Sequence, residues 1–324
     1  MTRDAVLLMA YGGPGSLDEV EAYYTDIRRG VAPPPELLDE LLDRYRAIGG
    51  ASPLSGIVER QRAALEAALA GRGRAIPVYA GMRHIAPRIA TVVEAMARDG
   101  IERFVAIALA PQRSSNGAGY RRAVVTGLAA AGAGGETTPT PIFVESWHDE
   151  PRFIEALART TREALDRFAT PAAVHLLFTA HSLPARVVAE GDVYPDEIAA
   201  TARLVAGRLG VADYEQCFQS AGRTGEPWLG PDLRDELRRL ASEGVREIVV
   251  APVGFVAEHL EVLYDIDIEA QAVAREVGIR LERAPSMNDD PTFISALADV
   301  ATRALDTAPA ATEFAAIPAG GVAR

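Results

Sequence analysis

The chain has 324 residues, of which 48% are apolar, and a formal net charge of −12 at pH 7. This length and composition predict a globular protein of about two domains, and the negative charge argues against nucleic-acid binding, which depends on basic residues. No apolar run approaches the roughly 20 residues of a transmembrane segment. The N-terminal residues run into GGPGSLDEVEAYY without a small-residue cleavage site, so we expect a cytoplasmic protein.

Two residue counts exclude further kinds of chemistry. The chain contains no lysine, which excludes a Schiff-base mechanism and a P-loop lysine. It contains one cysteine, Cys217, which excludes an intrachain disulfide and any all-cysteine cluster or zinc site within one chain. We expect Cys217 to be a small buried residue.

Apolar runs of strand length alternate with helical stretches along most of the chain. The predicted strands are 5–10, 76–80, 103–110, 141–146, 174–179, 214–219 and 247–252. The predicted helices are 16–27, 35–48, 55–70, 85–99, 152–168, 195–209, 232–242 and 292–306. This alternation is typical of α/β proteins with parallel sheets.

The two halves of the chain resemble each other. Residues 7–14, LLMAYGGP, line up with 177–184, LFTAHSLP, and 99–105 line up with 243–249. Two matches in the same order favour a duplicated α/β domain. Tyr11 and His181 would then follow the first strand of each half, at the sheet edge where open parallel sheets bind ligands. We therefore predict domains at 1–150 and 151–307 with a ligand cleft between them, and a flexible tail at 308–324.

Residues 253–270, VGFVAEHLEVLYDIDIEA, are predicted to form a helix that carries Glu261, Asp265 and Glu269 at four-residue spacing. Each such step advances about 40° around an α-helix, so the three carboxylates form one acidic stripe. Like charges at this spacing repel, and a bound cation would explain why they are stacked. A solvated acidic helix face would produce the same pattern.

His181 lies in the segment FTAHSLP, at the end of a predicted strand. An imidazole together with carboxylates suits Fe(II), Co(II) or Zn(II), and an imidazole is also a natural proton acceptor near neutral pH. One imidazole with one carboxylate is too few ligands for a tight structural site, but it suits a metal ion that is handed on. A purely structural histidine is the alternative interpretation.

Several arginines fall near loops at the predicted cleft edge of the first half. They are Arg28, Arg29, Arg44, Arg113, Arg121 and Arg122. Guanidinium groups bind carboxylates through paired hydrogen bonds, so this group within an acidic protein predicts a ligand with several carboxylates. Each arginine alone could be an ordinary surface residue. The segment 11–15, YGGPG, lacks the GxGxxG spacing and contains a proline, which argues against a dinucleotide site.

These segments together resemble the ferrochelatase family over most of the chain. The resemblance is carried by LLMAYGGP, YYTDIRRG, RYRAIGGASPL, GMRHIAPRI, APQRSS with GYRRA, FTAHSLP, QSAGRTGEPWLGPDL and VGFVAEHLEVLYDID. Within the family the chain is similar to the bacterial coproporphyrin III branch, because Tyr11 stands where those enzymes place a tyrosine facing the macrocycle. The resemblance implies the chelatase fold, with two Rossmann-like domains around a porphyrin cleft and the final helix packed on the first domain.

The same resemblance implies roles for individual residues. His181 and Glu261 would be catalytic and bind the incoming Fe(II), while Tyr11 on the other face would ligate iron in the product. Asp265 and Glu269 would extend the metal site as an acidic ladder, where relatives often widen the helix into a π turn. The implied porphyrin-binding residues are Tyr11, Arg28, Arg44, Tyr45, Ser52, Tyr120 and, less directly, Ser220.

The implied reaction is insertion of Fe(II) into coproporphyrin III in haem biosynthesis. Fe(II) is then a substrate, no cofactor is permanently bound, and Cys217 alone cannot hold the iron–sulfur cluster of some relatives. Arg83 replaces a lysine common in the family, which leaves its substrate contact open. We expect a monomer whose partners are a porphyrin and ferrous iron. Protoporphyrin as substrate, a cobalt or nickel chelatase acting on another tetrapyrrole, and a non-catalytic haem or porphyrin carrier remain alternatives.

Overall fold

The computed structural model describes residues 3–222 and 224–307, so the tail predicted at 308–324 lies outside the described residues. The strands are β1 (Asp4–Ala10), β2 (Val78–Met82), β3 (Arg103–Ala108), β4 (Thr140–Val144), β5 (His175–His181), β6 (Tyr214–Gln219), β7 (Glu247–Pro252) and β8 (Arg280–Arg283). The helices are α1 (Val20–Ile27), α2 (Pro35–Ala47), α3 (Leu54–Gly71), α4 (Ile89–Arg98), α5 (Ala118–Ala133), α6 (Pro151–Leu165), α7 (Arg186–Ala189), α8 (Tyr194–Leu209), α9 (Leu233–Ser242), α10 (Leu260–Leu263), α11 (Gln271–Val277) and α12 (Pro291–Thr307). A π-helix, Asp265–Ala270, lies between α10 and α11.

The strands form two four-stranded sheets, ordered β2-β1-β3-β4 and β6-β5-β7-β8. Every pairing between these strands is parallel, which confirms the predicted α/β class. The register repeats as well, because Leu7 lies opposite Ala106 and Leu177 lies opposite Val250. The sequence matches between the halves, continued by one residue from Val105 and Val249, make these two pairs equivalent. The duplication therefore extends to the alignment of individual strand residues.

Both sheets are buried beneath helices. In β1 every residue from Ala5 to Ala10 is buried, as expected of a parallel strand covered on both faces. One apolar cluster includes Val6 and Val105 of the first sheet together with Phe178 and Val249 of the second, so the halves share a core. The final helix, α12, packs on α3 and α6 and approaches β3 and β4. None of the helices within the described ranges has the length and apolar composition of a membrane-spanning segment.

Four of these elements, α5, α7, β8 and α11, were absent from the sequence prediction, and the sequences of α5 and β8 show why. Helix α5 has an Ala- and Gly-rich sequence with little polar contrast between its faces. Gly127 of α5 lies so close to α4 that a Cβ there would come within 2.5 Å of the Ala90 carbonyl oxygen, so this glycine permits close helix packing. The other element, β8, has only four residues at the edge of its sheet, too few for a clear alternation signal.

The predicted helix over 253–270 is wrong in its first half. Residues before Leu260 follow an irregular path. Gly254 on this path packs on Ala180 so closely that a Cβ would lie 2.7 Å from the Ala180 Cβ. The Glu258 N–H donates to the Asn288 side-chain oxygen at 2.9 Å, which ties this segment to a distant loop instead of to a helical turn. The helix that carries the acidic residues therefore begins at Leu260.

Candidate active site

A cleft of about 1320 Å³ lies where the strands of both sheets end at their carboxyl termini. Pockets for small molecules commonly measure about 300–1,000 Å³, so this cleft can admit a ligand of macrocycle size. Every residue predicted for the site lines it: Tyr11, Arg28, Arg44, Tyr45, Ser52, Tyr120, His181, Ser220, Glu261, Asp265 and Glu269.

The topology explains why distant residues meet there. Tyr11 follows β1 in the first half, while His181 ends β5 in the second half. Glu261 is the second residue of α10, which the chain enters soon after β7. Because β1, β5 and β7 are inner strands of their sheets, a phenol from one half and an imidazole and carboxylate from the other reach the same space.

Local hydrogen bonds fix the His181 ring. Its Nδ1 contacts the Ser182 carbonyl oxygen, which can only accept, so Nδ1 carries the proton of the neutral ring. Nε2 is then left as the basic nitrogen. The Tyr194 hydroxyl donates to the His181 carbonyl oxygen at 3.1 Å and holds the backbone at this strand end. The histidine is therefore oriented as a proton acceptor or metal ligand.

Glu261 has a histidine neighbour that sequence reasoning missed. His259 Nε2 lies 3.4 Å from Glu261 Oε2, and His259 Nδ1 contacts the Ala257 carbonyl oxygen at 2.8 Å. In a continuous helix these residues, two positions apart, would point to nearly opposite faces. The backbone of His259 is extended, with φ −160° and ψ −177°, which brings both side chains to the cleft. Recognising the late helix start would have identified His259.

Asp265 is a buried carboxyl with few partners. The Ser220 hydroxyl donates to Oδ2, while Oδ1 makes no hydrogen bond and lies 3.6 Å from Arg44 Nη1. Burial raises the pKa of Asp265 to about 7, and the charges of Glu261 and Glu269 act in the same direction. Ser220 and Arg44 oppose this rise. Asp265 can therefore gain and lose a proton near neutral pH.

The π-helix aligns the three carboxylates. The Glu269 N–H donates to the Tyr264 carbonyl oxygen at 2.9 Å, which is the five-residue bond of a π turn. The α-helical step from Glu261 to Asp265 overshoots a full circle by about 40°. In the wider π turn each residue rotates less, so the step from Asp265 to Glu269 falls short of a full circle. The second step offsets the first, and all three carboxylates line the cleft.

The opposite half contributes a phenol with an exposed face. Tyr11 is 36% exposed, and its ring lies 4.3 Å from the buried ring of His84. Burial raises the pKa of Tyr11 to about 12, so the phenol is protonated at neutral pH. The Arg83 Cζ lies 5.6 Å from the Tyr11 ring centre and 5.8 Å from that of Tyr120, so Arg83 lies between two cleft tyrosines.

The matching of the chain to known sequences decides its family. The family model described as Ferrochelatase matches residues 3–305.

The chain belongs to the ferrochelatase family.

Similar proteins agree with this assignment. The chain is 44% identical to the ferrochelatase of Deinococcus radiodurans over 306 residues, which cover 92% of this chain and 95% of that protein. It is 43% identical to the coproporphyrin III ferrochelatase of Geobacillus thermodenitrificans, covering 93% of this chain and 95% of that protein. Ferrochelatases insert a metal ion into a porphyrin, so the predictions of an enzyme and of porphyrin and metal as its substrates are confirmed.

Solved structures confirm the chelatase fold. SirB from Bacillus subtilis with Fe3+ superposes with a TM-score of 0.56 at 13% identity, covering 94% of this chain and 95% of that one. The sirohydrochlorin chelatase SirB from B. subtilis subspecies spizizenii in complex with cobalt gives a TM-score of 0.52 at 11% identity, covering 94% and 96%. At these identities the likeness concerns the fold alone.

Only some of the arginines predicted at the cleft edge line this ferrochelatase cleft. The arginines that line it are Arg28, Arg44, Arg83, Arg113, Arg121 and Arg234, whereas Arg29 and Arg122 do not. Arg44 donates to Glu40 at 3.0 Å and lies over the Tyr264 ring at 5.0 Å. The Nε of Arg28 is buried and has no hydrogen-bond partner in the chain. A ligand carboxylate would satisfy this donor.

The ferrochelatase site is not a closed metal cage. In the ranges 3–222 and 224–307, no three His, Cys, Asp or Glu side chains are grouped to hold a metal ion. A pair of ligands suits a metal that passes through the site as substrate, because a resident structural metal takes four protein ligands. Cys217 is buried, and burial raises the pKa of its thiol, so it is not a thiolate ligand at neutral pH.

Proposed function

We propose that this chain inserts Fe(II) into coproporphyrin III to form iron coproporphyrin in haem biosynthesis. The observation that carries the proposal is one cleft that joins His181 and Glu261 of the second half to Tyr11 and the arginines of the first. Arg28 with its unsatisfied buried donor favours a substrate rich in carboxylates. The relatives named coproporphyrin III ferrochelatase add support. We further propose a monomer located in the cytoplasm.

The chemistry requires two pyrrole protons to leave while iron loses its water. Neutral His181 offers Nε2 as the proton acceptor, because its Nδ1–H is engaged by Ser182. Glu261 would hold the iron and offset its charge, with its backbone fixed by the Gln219 side chain, which donates to the Glu261 carbonyl at 2.7 Å. Asp265, with a pKa of about 7, can pass protons onward to Glu269, which is 28% exposed.

Binding of the carboxylates at the periphery of the porphyrin would also assist metal insertion at the centre of the porphyrin ring. A porphyrin must be bent to expose its nitrogen lone pairs, and distortion of bound substrates is worth about 1–5 kcal/mol in enzymes. Arg28 directly follows α1, Arg44 and Tyr45 lie on α2, and Ser52 lies in the loop before α3. All four line the cleft on the half of the chain that does not contain His181. Such remote binding energy can be used to hold the distorted ring.

An anaerobic competition between coproporphyrin III and protoporphyrin IX with Fe(II) tests the proposal. The absorbance of each free-base porphyrin is followed as metal enters. One charge-assisted contact contributes about 1.5–3 kcal/mol, so we expect kcat/KM to favour coproporphyrin III by roughly tenfold or more. Equal values, or a preference for protoporphyrin, would overturn the substrate assignment. Parallel assays with Co(II) and sirohydrochlorin test the cobalt or nickel alternative.

A further inference from the structure

Two carboxylates beside the metal-handling residues do not line the cleft. Glu258 immediately precedes His259, and Asp267 lies at the centre of the π-helix between Asp265 and Glu269. Both turn away from the cleft and contact the guanidinium of Arg283, the last residue of β8. A single cation therefore joins the segment that presents Glu261 to the segment that presents the other two acids.

We call the group of Glu258, Asp267 and Arg283 the junction. In it one guanidinium forms paired hydrogen bonds with each of two carboxylates. Arg283 Nε donates to Asp267 Oδ1 at 2.7 Å, and Nη2 donates to Asp267 Oδ2 at 2.9 Å. Nη1 and Nη2 donate to the two oxygens of Glu258 at 3.1 and 3.3 Å. The Ala284 carbonyl oxygen accepts the fifth hydrogen bond of the guanidinium, from Nη1, at 3.2 Å. Paired hydrogen bonds of this kind fix orientation as well as distance.

Two of the three junction residues are shielded from water, whereas Asp267 is 36% exposed, and the junction is tied to the rest of the fold. Arg283 and Glu258 are only 13% and 17% exposed. The Ser286 N–H donates to Glu258 at 3.3 Å, and the Gln61 side chain of α3 donates to the Asn288 carbonyl at 2.7 Å. Through Asn288, which also accepts from the Glu258 N–H, the junction is connected to a helix of the first half.

Local sequence gives little reason for the two segments to keep their relative placement. A π turn is a rare backbone form that other contacts must support, and the path from Gly254 to His259 is irregular. Asp267 anchors the π-helix and Glu258 anchors the irregular path before α10, both to the one rigid guanidinium of Arg283. If that tie is lost, Glu258 and Asp267 are left as neighbouring like charges, which repel.

We propose that Arg283 is a positioning residue for metal insertion, which sets the separation of Glu261 from Asp265 and Glu269. The inference rests on the proposed roles of His181 and the acidic row in handling the metal. It predicts that the loss of Arg283 affects the metal ion and not the porphyrin, because neither Arg283 nor its two carboxylate partners line the cleft.

The test measures metal insertion by Arg283→Met and Arg283→Lys, with the KM values for Zn(II) and for porphyrin determined separately. Outer partners of metal ligands typically influence affinity or activity by about 10- to 100-fold. We expect the metal KM to rise in that range for Arg283→Met, with the porphyrin KM unchanged. Arg283→Lys keeps the charge but loses the fork, so an intermediate rise is expected. Arg280→Met on the same strand, outside the junction, is the matched control.

A triple variant separates positioning from folding. Glu258→Gln/Asp267→Asn/Arg283→Met removes the stranded charges, so thermal stability should return toward that of the wild type. A raised metal KM that persists in the triple variant supports positioning. Recovery of both stability and metal KM would show that Arg283 acts only in folding and would overturn the inference.

Failure of the inference is distinguishable from failure of the proposed function. Titration calorimetry with Zn(II), without porphyrin, compares metal binding by the wild type, Arg283→Lys and Arg280→Met. A wild type that inserts no metal into any porphyrin would overturn the function itself. A wild type that inserts metal, beside an Arg283→Lys variant with unchanged Zn(II) affinity and metal KM, would overturn only the role of Arg283.

Discussion

The ring of Tyr11 lies 4.3 Å from the ring of His84, centre to centre, in a tilted arrangement. His84 is only 8% exposed, and its Nδ1 contacts Asp26 Oδ2 at 2.7 Å. Asp26 is also bound by both terminal nitrogens of Arg88, at 2.7 and 3.0 Å. Burial lowers the pKa of His84, so its contact with Asp26 is a hydrogen bond from a neutral ring. The cleft face of Tyr11 is thus supported from behind by a hydrogen-bonded histidine that does not itself line the cleft.

Replacing His84 with Ala should loosen Tyr11 and weaken binding of the iron product. An aromatic contact of this kind is worth about 0.5–1.5 kcal/mol, so product affinity should fall by roughly 2- to 10-fold. The absorption spectrum of bound iron coproporphyrin should shift in the direction produced by Tyr11→Phe, because both changes alter the same phenol. A product spectrum that changes in Tyr11→Phe but is unaltered in His84→Ala would argue against this support.

Replacing His181 with Ala should remove the proposed proton acceptor while leaving the porphyrin pocket intact. General bases contribute about 10²- to 10⁴-fold to rates, and kcat should fall by that factor. Porphyrin affinity, measured by fluorescence quenching, should be unchanged. His175→Ala is the matched control, since His175 begins the same strand β5 and does not line the cleft. Normal turnover by His181→Ala would mean that another group takes the protons.

The sequence could predict the α/β class and seven of the eight strands in the described part of the chain, because buried parallel strands have continuous apolar runs and the two halves repeat them. Tyr11 and His181 were placed at one cleft by that repeat alone, and both line it. His259 could not be found in the same way, because a periodic pattern does not reveal where a helix begins. The start at Leu260 depends on tertiary contacts, among them the bond from Glu258 to Asn288.

The charged partners of the site were also beyond the reach of sequence. Arg283 follows Glu258 by 25 positions, and only the pairing of β8 beside β7 brings them together. The acidic spacing pointed to a stripe, yet its alignment depends on a π turn that α-helical geometry does not include. The turn came from the family resemblance and not from the periodicity, and the structure confirms it.

Replacing Arg44 with Ala should weaken a four-carboxylate porphyrin more than a two-carboxylate one. Arg44 lines the cleft and is already positioned by Glu40 and Asp265, so its fork is preorganised for a ligand carboxylate. A charged hydrogen bond contributes about 1.5–3 kcal/mol, and Kd for coproporphyrin III should rise by roughly 10- to 100-fold. Arg46→Ala on the same helix, outside the cleft, is the control. Equal losses for both porphyrins would count against this contact.

Replacing Asp265 with Asn should change how stability depends on pH. Burial raises the pKa of Asp265 to about 7 from an ordinary value of 3.8, so the folded chain keeps a proton that the unfolded chain has already released. The stability linked to that proton is complete below the unfolded pKa and is lost as the pH rises through the folded one. In the wild type, ionisation of this group therefore makes folding less favourable at neutral and alkaline pH.

Asp265→Asn has no carboxyl at this position, so it does not lose stability through ionisation as the pH rises. One pKa unit corresponds to about 1.36 kcal/mol, so the stability of Asp265→Asn relative to the wild type should increase by roughly 2–3 kcal/mol between about pH 4.5 and about pH 8. Urea unfolding in the presence of a chelator measures this difference in stability. The altered hydrogen bond to Ser220 changes the stability of the variant by the same amount at both pH values, so it does not affect the pH dependence. Asp43→Asn, at a carboxyl 73% exposed on α2, is the control. A pH-independent difference for Asp265→Asn would show that its carboxyl ionises normally in the fold, and proton relay at neutral pH would then need another group.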